Sequence, residues 1–418
     1  MRVLSVFGTR PEAIKMAPVV LALREIEIVE SRVCLTGQHR RMLDDVISAF
    51  SLNPDYDLDI MQPNQSLSEV FSAVMRGLDP ILTEFRPDFV LVQGDTATST
   101  AAALAAFFRS IKIGHVEAGL RTGDLNSPWP EEANRRLTAI VTTRHYAPTP
   151  RARAALLQEG HAADAIIVSG NTVIDGLLHV ARDVTEPGPL KRLLDKKFSW
   201  IDASKRMILV TGHRRESFGS GFVQICSALK SIAKRGDLQI IYPVHLNPNV
   251  RGPVFERLAA EPNVSLVEPL SYPEFVYLMT KSYLILTDSG GIQEEAPSLH
   301  KPVLVMRDTS ERIEAVEAGL ARLVTTDPGL IVAAVNELLN SRGTYEAMAT
   351  GANPFGDGEA SKRIVTDLVA FGRAAPHPTR KSAACRIAET AMVDFVGLPE
   401  RSPIEMESDA ISTAAANG

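Results

Sequence analysis

LTDSGGIQEEAPSL, residues Leu286–Leu299, reads as a buried strand that ends in a cradle for an anion. The apolar run Tyr283–Thr287 predicts the strand. Ser289, Gly290 and Gly291 then bring backbone N–H groups to the start of a helix, where unsatisfied donors and the positive end of the helix dipole attract negative charge. Glu294 and Glu295 follow in the first helical turn, and one of them can accept both hydroxyls of a ribose. The segment therefore reads as a handle for a nucleotide diphosphate. Taken alone, it fits equally a glycine turn whose carboxylates favour a helix N-terminus for dipole reasons.

The same strand-then-helix order runs outward along the chain. Short β-rich apolar runs alternate with longer segments of helical period, the pattern of parallel βαβ units. Strands are predicted at Val3–Phe7, Arg32–Thr36, Phe89–Gln93, Ile113–Val116, His145–Ala147 and Ile166–Val168, with helices over Ala13–Leu23, Ser66–Leu82 and Thr98–Phe108. After Asn171 the pattern gives way to Glu186-Pro187-Gly188-Pro189 and a polar, lysine-bearing stretch, which reads as the inter-domain region. Strands resume at Met207–Thr211, Gln239–Tyr242, Val264–Val267, Leu284–Thr287 and Val303–Met306. The expectation is an α/β protein of two Rossmann-like, doubly wound domains, residues 1–175 and 190–359, with the site in the cleft beyond the carboxyl ends of the strands. Residues 374–418, rich in Ala, Pro, Ser and Thr, read as a disordered tail with a helix near Cys385–Val393.

Composition narrows the function. A chain of 418 residues with 45% hydrophobic side chains has material for two cores. The 44 basic and 50 acidic residues leave a formal charge of -6, so no global basic field draws in nucleic acid and an anionic ligand has to be gripped locally. Cys34, Cys226 and Cys385 are scattered, odd in number and without CxxC spacing, which points to a reducing compartment and away from a metal site. MRVLSVFGTRPE reads as a first strand rather than a signal peptide, and no apolar run reaches the roughly 18 residues of a membrane span. A soluble cytoplasmic protein is expected. No GxGxxG, GxSxG or Walker sequence occurs, so redox chemistry on a nicotinamide is not expected.

The unusual motifs sit just after predicted strands. GTRPEAIKMAP places Gly8 at a turn, Arg10 at its exit, Pro11 near the first helical position and Lys15 one turn on, two cations suited to a phosphate or diphosphate at a helix start. Asp95 follows the strand ending at Gln93, Glu117 follows the one ending at Val116, and Glu131 and Glu132 come after Pro128-Trp129-Pro130. Asp95 also suits an N-cap, and Arg135 and Arg136 paired with Glu131 and Glu132 also suit a solvated helix face. Three acids at three βα exits of one domain are nevertheless harder to set aside together than singly. In the second half Gly212 is followed by His213, Arg214 and Arg215, an imidazole and guanidinium groups able to hold a pyrophosphate or protonate a leaving oxygen. Phe275 stands near a helix start, where it packs in a core or flanks a base, and Arg307 and Arg312 lie where cations complete a diphosphate site.

Together GTRPEAIKMAP, TGQH, QGDT, HVEAGLRT with SPWPEEANR, GNTVID, TGHRRES, PVHLNP, LTDSGGIQEEAPSL and PVLVMRDTSERIEA resemble the non-hydrolysing UDP-N-acetylglucosamine 2-epimerases, in that family's order and from Met1 to about Phe371. The resemblance implies a glycosyltransferase-B arrangement, a final helix over Ala360–Phe371 crossing back to the first domain, UDP held mainly by the second domain, a homodimer, and no cofactor or metal. By matching position it puts Ser289, Gly290 and Gly291 at the diphosphate, Glu295 at the ribose and Phe275 at the uracil through its backbone. It sets Arg10, Lys15, His213 and Arg312 around the phosphates and makes Asp95, Glu117 and Glu131 the catalytic carboxylates. Two departures are visible: TGQH is followed by Arg40-Arg41 where many members have Arg-Glu, in a loop linked in some bacterial members to a second, activating UDP-sugar, and the tail past Phe371 has no family counterpart.

The reaction so implied is reversible C2 epimerisation of UDP-N-acetylglucosamine to UDP-N-acetylmannosamine, supplying polysaccharide or cell-surface glycan synthesis. The C2 hydrogen has no neighbouring carbonyl to stabilise a carbanion. Breaking the C1–O bond first or concurrently acidifies it, and elimination gives UDP and 2-acetamidoglucal. Asp95 and Glu131 are expected to move the C2 protons, Glu117 to position, and Arg10 and His213 to serve the leaving diphosphate. A hydrolysing epimerase, a glycosyltransferase of the same fold and a non-catalytic UDP-sugar sensor share parts of the pattern.

Overall fold

The apolar runs assemble into two parallel sheets. The structure, a computed structural model, describes residues 1–37 and 40–374, the side chains of residues 40–42 and 374 excepted. The first sheet holds β1 (Arg2–Phe7), β2 (Glu30–Leu35), β3 (Tyr56–Asp57), β4 (Phe89–Gln93), β5 (Lys112–Val116), β6 (Arg144–Ala147) and β7 (Ile166–Val168), in the order β3-β2-β1-β4-β5-β6-β7. The second holds β8 (Arg206–Thr211), β9 (Leu238–Pro243), β10 (Val264–Val267), β11 (Leu284–Thr287), β12 (Val303–Val305) and β13 (Ala321–Leu323), in the order β10-β9-β8-β11-β12-β13. Every pair is parallel. Val3, Leu4, Val6 and Phe7 of β1 are all fully buried, because helices cover both faces of a parallel sheet and its strands read as continuous apolar runs. The edge strands β3 and β13 were not expected, since two or three residues carry no readable period.

Helices follow the strands. In the first half they are α1 (Arg10–Arg24), α2 (Arg40–Ala49), α3 (Leu67–Phe85), α4 (Ala97–Phe108), α5 (Glu131–Val141), α6 (Pro150–Gln158) and α7 (Thr172–Thr185). Then come α8 (Pro189–Lys197), α9 (Ser220–Ala233), α10 (Pro248–Leu258), α11 (Tyr272–Lys281), α12 (Gly290–Glu295), α13 (Ile313–Glu317), α14 (Pro328–Asn340), α15 (Arg342–Ala349) and α16 (Ala360–Ala374). Strand order reverses between β1 and β4 in one sheet and between β8 and β11 in the other. The crevice of a doubly wound sheet opens at such a switch point. GTRPE, QGDT, TGHRRE and DSGG follow these four strands, so four of the motifs flank the two crevices.

The stretch after Asn171 departs from expectation. Residues 172–185 form a regular helix, capped by the Asn171 side chain, which accepts from Val173 N at 3.2 Å. Val173, Leu177, Val180 and Val184 make a buried stripe at helical spacing, so the signal was present. The break falls only at Glu186-Pro187-Gly188. α7 packs against both α1 and α11, and a Cβ on Gly176 would lie 2.6 Å from Ile14 O, so that glycine lets α1 and α7 approach closely. Met1–Gly372, with both sheets, forms one compact unit. The tail and the helix expected near Cys385–Val393 lie outside the described residues, as do Gln38 and His39.

α16 returns the chain to the first sheet. Asp367 accepts Arg144 Nε at 2.9 Å and the Tyr146 hydroxyl at 3.1 Å, and Asp175 takes the backbone N of Ser361 at 2.7 Å. Replacing Asp367 by Ala leaves a largely buried guanidinium unpaired and is expected to destabilise the fold by about 2–3 kcal/mol in urea titration. A loss below about 0.5 kcal/mol would show that this pair does not anchor the helix.

Candidate active site

The first half builds its side of the site around the end of β1. Thr9 caps α1, and the buried Glu12 carboxylate accepts Gly8 N at 3.0 Å, Thr9 N at 2.8 Å and the Thr96 hydroxyl at 2.6 Å. Glu12 thus joins the exits of β1 and β4. Gly8 has no room for a side chain, since a Cβ there would sit 1.8 Å from Thr36 Oγ1. One turn into α1, Lys15 pairs with Glu117, with side chains only 15% and 6% exposed. Glu117 follows β5 in the left-handed region at φ 62°, which a non-glycine residue holds only when its surroundings enforce it. Burial disfavours both charges, yet each outweighs that for the other. Glu117 and Glu294 keep Lys15 above its ordinary value, while Lys15, Arg312 and Arg135 keep Glu117 below the usual carboxylate range.

The other acids of this half have different surroundings. Asp95 accepts Arg135 Nε at 2.9 Å and forms an ion pair with its Nη2 at 2.7 Å, and Asn134 Nδ2 donates to the Asp95 backbone carbonyl at 2.9 Å. Arg135 also reaches Glu132, which is fully buried and accepts Thr122 N at 3.1 Å. Glu131 opens α5, and its Oε2 is buried without a hydrogen-bond partner.

The second half supplies an anion cradle. The buried Asp288 accepts the backbone N–H groups of His213 at 2.7 Å and Arg214 at 2.8 Å, which ties the turn after β8 to the turn after β11. A Cβ on Gly290 would lie 3.8 Å from both Arg214 Nη2 and Arg312 Cζ, so two guanidinium groups face the start of α12. Arg312 is held there by Glu294. The Tyr272 hydroxyl donates to Glu295 at 2.8 Å, and burial, reinforced by Glu294, pushes Glu295 up to about 7. His213 stacks on His245 with ring centroids 5.5 Å apart, and burial holds it below its ordinary value although Asp288 pulls the other way.

These groups line one cavity of about 490 Å³, within the range of small-ligand sites. Arg10, Lys15, His213, Phe275, Ser289, Gly291, Glu295 and Arg312 all border it, and Ile14, Val173, Leu270 and Ile292 give it apolar wall. Gly290 stands at its edge beneath the guanidinium groups. Asp95, Glu117 and Glu131 are not among the lining residues; Glu117 connects to the cavity through Lys15. Arg307 does not complete the cradle as expected, because it pairs with Glu216 at 2.5 Å away from the cavity. Arg135, Glu132, Tyr272 and Asn171 were not assigned roles from sequence. Asn171 stood in the GNTVID motif, but its partner Glu294 is 123 positions away, and Arg135 and Tyr272 likewise matter through Asp95 and Glu295, 40 and 23 positions away.

A model of the UDP-N-acetylglucosamine 2-epimerase family matches residues 21–369. The UDP-N-acetylglucosamine 2-epimerase of Escherichia coli (strain K12) is 58% identical over 369 residues, 88% of this chain and 98% of that one. The crystal structure of the UDP-GlcNAc 2-epimerase from Neisseria meningitidis bound to UDP-GlcNAc is 50% identical, with a TM-score of 0.82, and is covered over 100% of its chain by 88% of this one. A glycosyltransferase, SnogD from Streptomyces nogalater, shares the fold alone at 17% identity and a TM-score of 0.56, over 89% of this chain and 99% of its own.

Glu295 makes stability depend on pH. Its ordinary value is 4.5 and its folded value about 7, so between these the native protein keeps a proton that the unfolded chain has lost. That contribution to stability declines as pH rises through the window. Wild type is expected to lose about 1–3 kcal/mol relative to Glu295→Gln between about pH 5 and 7.5 in urea titrations. Parallel stability curves would mean that Glu295 does not titrate there.

Proposed function

The chain belongs to the UDP-N-acetylglucosamine 2-epimerase family, and from that membership we propose how its cleft works on a UDP-sugar. The protein is an isomerase that interconverts UDP-N-acetylglucosamine and UDP-N-acetylmannosamine without net hydrolysis. The observation that carries the reading is the cavity that brings Ser289, Gly291, His213 and Arg312 of the second half together with Arg10 and Lys15 of the first.

In this reading Ser289, Gly290 and Gly291 hold the diphosphate, with Arg10, Lys15, His213 and Arg312 around it. Glu295 takes the ribose hydroxyls, and Phe275 meets the uracil. Cations preorganised over the diphosphate stabilise the charge that develops as the C1–O bond breaks and UDP leaves with the electron pair. One carboxylate removes the C2 proton as the C1–C2 double bond forms, giving 2-acetamidoglucal. A second returns a proton to C2 from the opposite face while the UDP oxygen re-adds at C1, and the configuration at C2 is inverted. Asp95 and Glu131 fill these two roles. Glu117, committed to Lys15, positions rather than transfers. The unpartnered Glu131 Oε2 supports its assignment to chemistry rather than to folding.

The same reading divides the chain into a first domain of residues 1–175, completed by the helix over 360–371, and a UDP-binding domain of 190–359. It makes the protein a cytoplasmic homodimer that serves polysaccharide synthesis. Exposed Phe107 and Phe108 at the end of α4 and Leu137 and Ile140 on the adjoining α5 support an apolar subunit contact. Among the described residues no helix is long and apolar enough to cross a membrane. A second UDP-sugar as activator rests on the sequence resemblance alone.

Run in deuterated water with UDP-N-acetylglucosamine, the reaction is expected to place deuterium at C2 of both epimers while free UDP stays at trace level by NMR. Stoichiometric free UDP and free sugar would instead identify a hydrolase. Asp95→Asn is expected to lower kcat about 10²–10⁴-fold with UDP affinity within about threefold. Retained turnover would remove Asp95 from the proton-transfer step.

A further inference from the structure

The two chain passages between the halves meet at one carboxylate. Outbound, β7 gives way to Asn171, the cap of α7; inbound, Asn353–Phe355 leads from α15 toward α16. The passages touch backbone to backbone. A Cβ on Gly170 would lie 3.5 Å from both Gly356 Cα and Phe355 O, and Asn171 N donates to Phe355 O at 2.6 Å. Gly170 and Gly356 have φ of 88° and 146°, which side-chain-bearing residues rarely adopt.

Glu294, 2% exposed, is bonded to both passages. Its Oε2 accepts Asn171 Nδ2 at 2.5 Å, and its backbone carbonyl accepts Asn353 Nδ2 at 2.7 Å. Asn353 Oδ1 accepts Phe355 N at 3.0 Å, so Glu294, Asn171, Phe355 and Asn353 close a ring of hydrogen bonds. The remaining carboxylate oxygen, Oε1, holds Arg312 by its Nε, and the guanidinium then overhangs Gly290 at the start of α12. Glu294 and Arg312 border the cavity, whereas Asn171 and Asn353 do not.

We propose that Glu294 is a positioning residue whose carboxylate, shared between Asn171 at the crossing and Arg312 at the anion cradle, makes the grip on the diphosphate depend on the geometry of the crossing. The proposal rests on the reading of the cavity as a UDP site. Each oxygen of this buried carboxylate has one donor, and an amide has only one oxygen to offer, so a glutamine satisfies one partner and opposes the other. Energetic linkage runs both ways: a crossing that orients Arg312 for the diphosphate is itself stabilised when the diphosphate binds.

The test is a double-mutant cycle on UDP affinity by titration calorimetry, with thermal unfolding to confirm that each variant is folded. Asn171→Ser keeps a good N-cap for α7 and removes the amide donor. It is expected to raise the Kd for UDP about tenfold although it deletes no cavity-lining group, and to raise KM for the UDP-sugar likewise with kcat changed less than about threefold. Glu294→Gln is expected to weaken UDP at least as much, and the double variant to be within about twofold of Glu294→Gln alone. Asn171→Asp, which keeps the cap and sets a second carboxylate against Glu294, provides a second arm and is expected to weaken UDP further. A lowered Tm with UDP affinity unchanged within about twofold in both Asn171 variants overturns the proposal, as does a double variant in which the two losses multiply. If wild type itself binds no UDP, the reading of the cavity falls first and takes this proposal with it.

Discussion

The Lys15 ammonium and the Glu117 carboxylate, both nearly out of water, set the constraint around which the cleft is arranged. A buried charge persists only when it is paired, and removing one partner leaves the other uncompensated. Here the pairing continues across the halves. Lys15 also feels Glu294 and Arg312, and Glu117 feels Arg312 and Arg135. The two sheets therefore meet through alternating charges as well as through apolar packing. Glu117 holds its side of the pair from a left-handed backbone.

That arrangement suits a reaction in which the substrate comes apart and is rejoined. A sugar that loses UDP from C1 has to remain beside it until re-addition. Cations held in place by buried acids do not have to reorganise when the leaving group becomes more negative, which is the condition for electrostatic preorganisation. In the proposed reading the labour divides along the fold: the β8 and β11 exits hold the nucleotide, the β4 exit and the start of α5 carry the proton-transferring acids, and the β5 exit carries the positioning Glu117. Arg135 links Asp95 to the buried Glu132, so even an acid read as catalytic is oriented by a framework of its own.

Much of the fold was legible because parallel strands announce themselves. Eleven strands were placed from apolar runs, and the two that were missed, Tyr56–Asp57 and Ala321–Leu323, are short edges with too few residues to show a period. α7 was passed over although Val173, Leu177, Val180 and Val184 repeat at helical spacing; Glu186-Pro187-Gly188 drew the boundary too early. In the site, the glycines of GTR and DSGG were readable as close turns. Arg307 was not readable, because its proximity in sequence to Arg312 says nothing about Glu216, which takes it elsewhere.

The sequence by itself determined the strand–turn–helix units, the cradle at Leu286–Leu299, the family resemblance and the set of candidate acids and cations, because these are local patterns of polarity, glycine and charge. Which of those groups share a space was decided by the tertiary structure alone. Lys15 finds Glu117 across the first sheet, and Asn171 reaches Glu294 over 123 positions. Such pairings follow from strand order and from where two chain passages cross, and short-range spacing carries no record of either. The glycine cradle read from the sequence lies beneath Arg312, whose guanidinium is held by Glu294, itself bonded to Asn171 where the two chain passages cross.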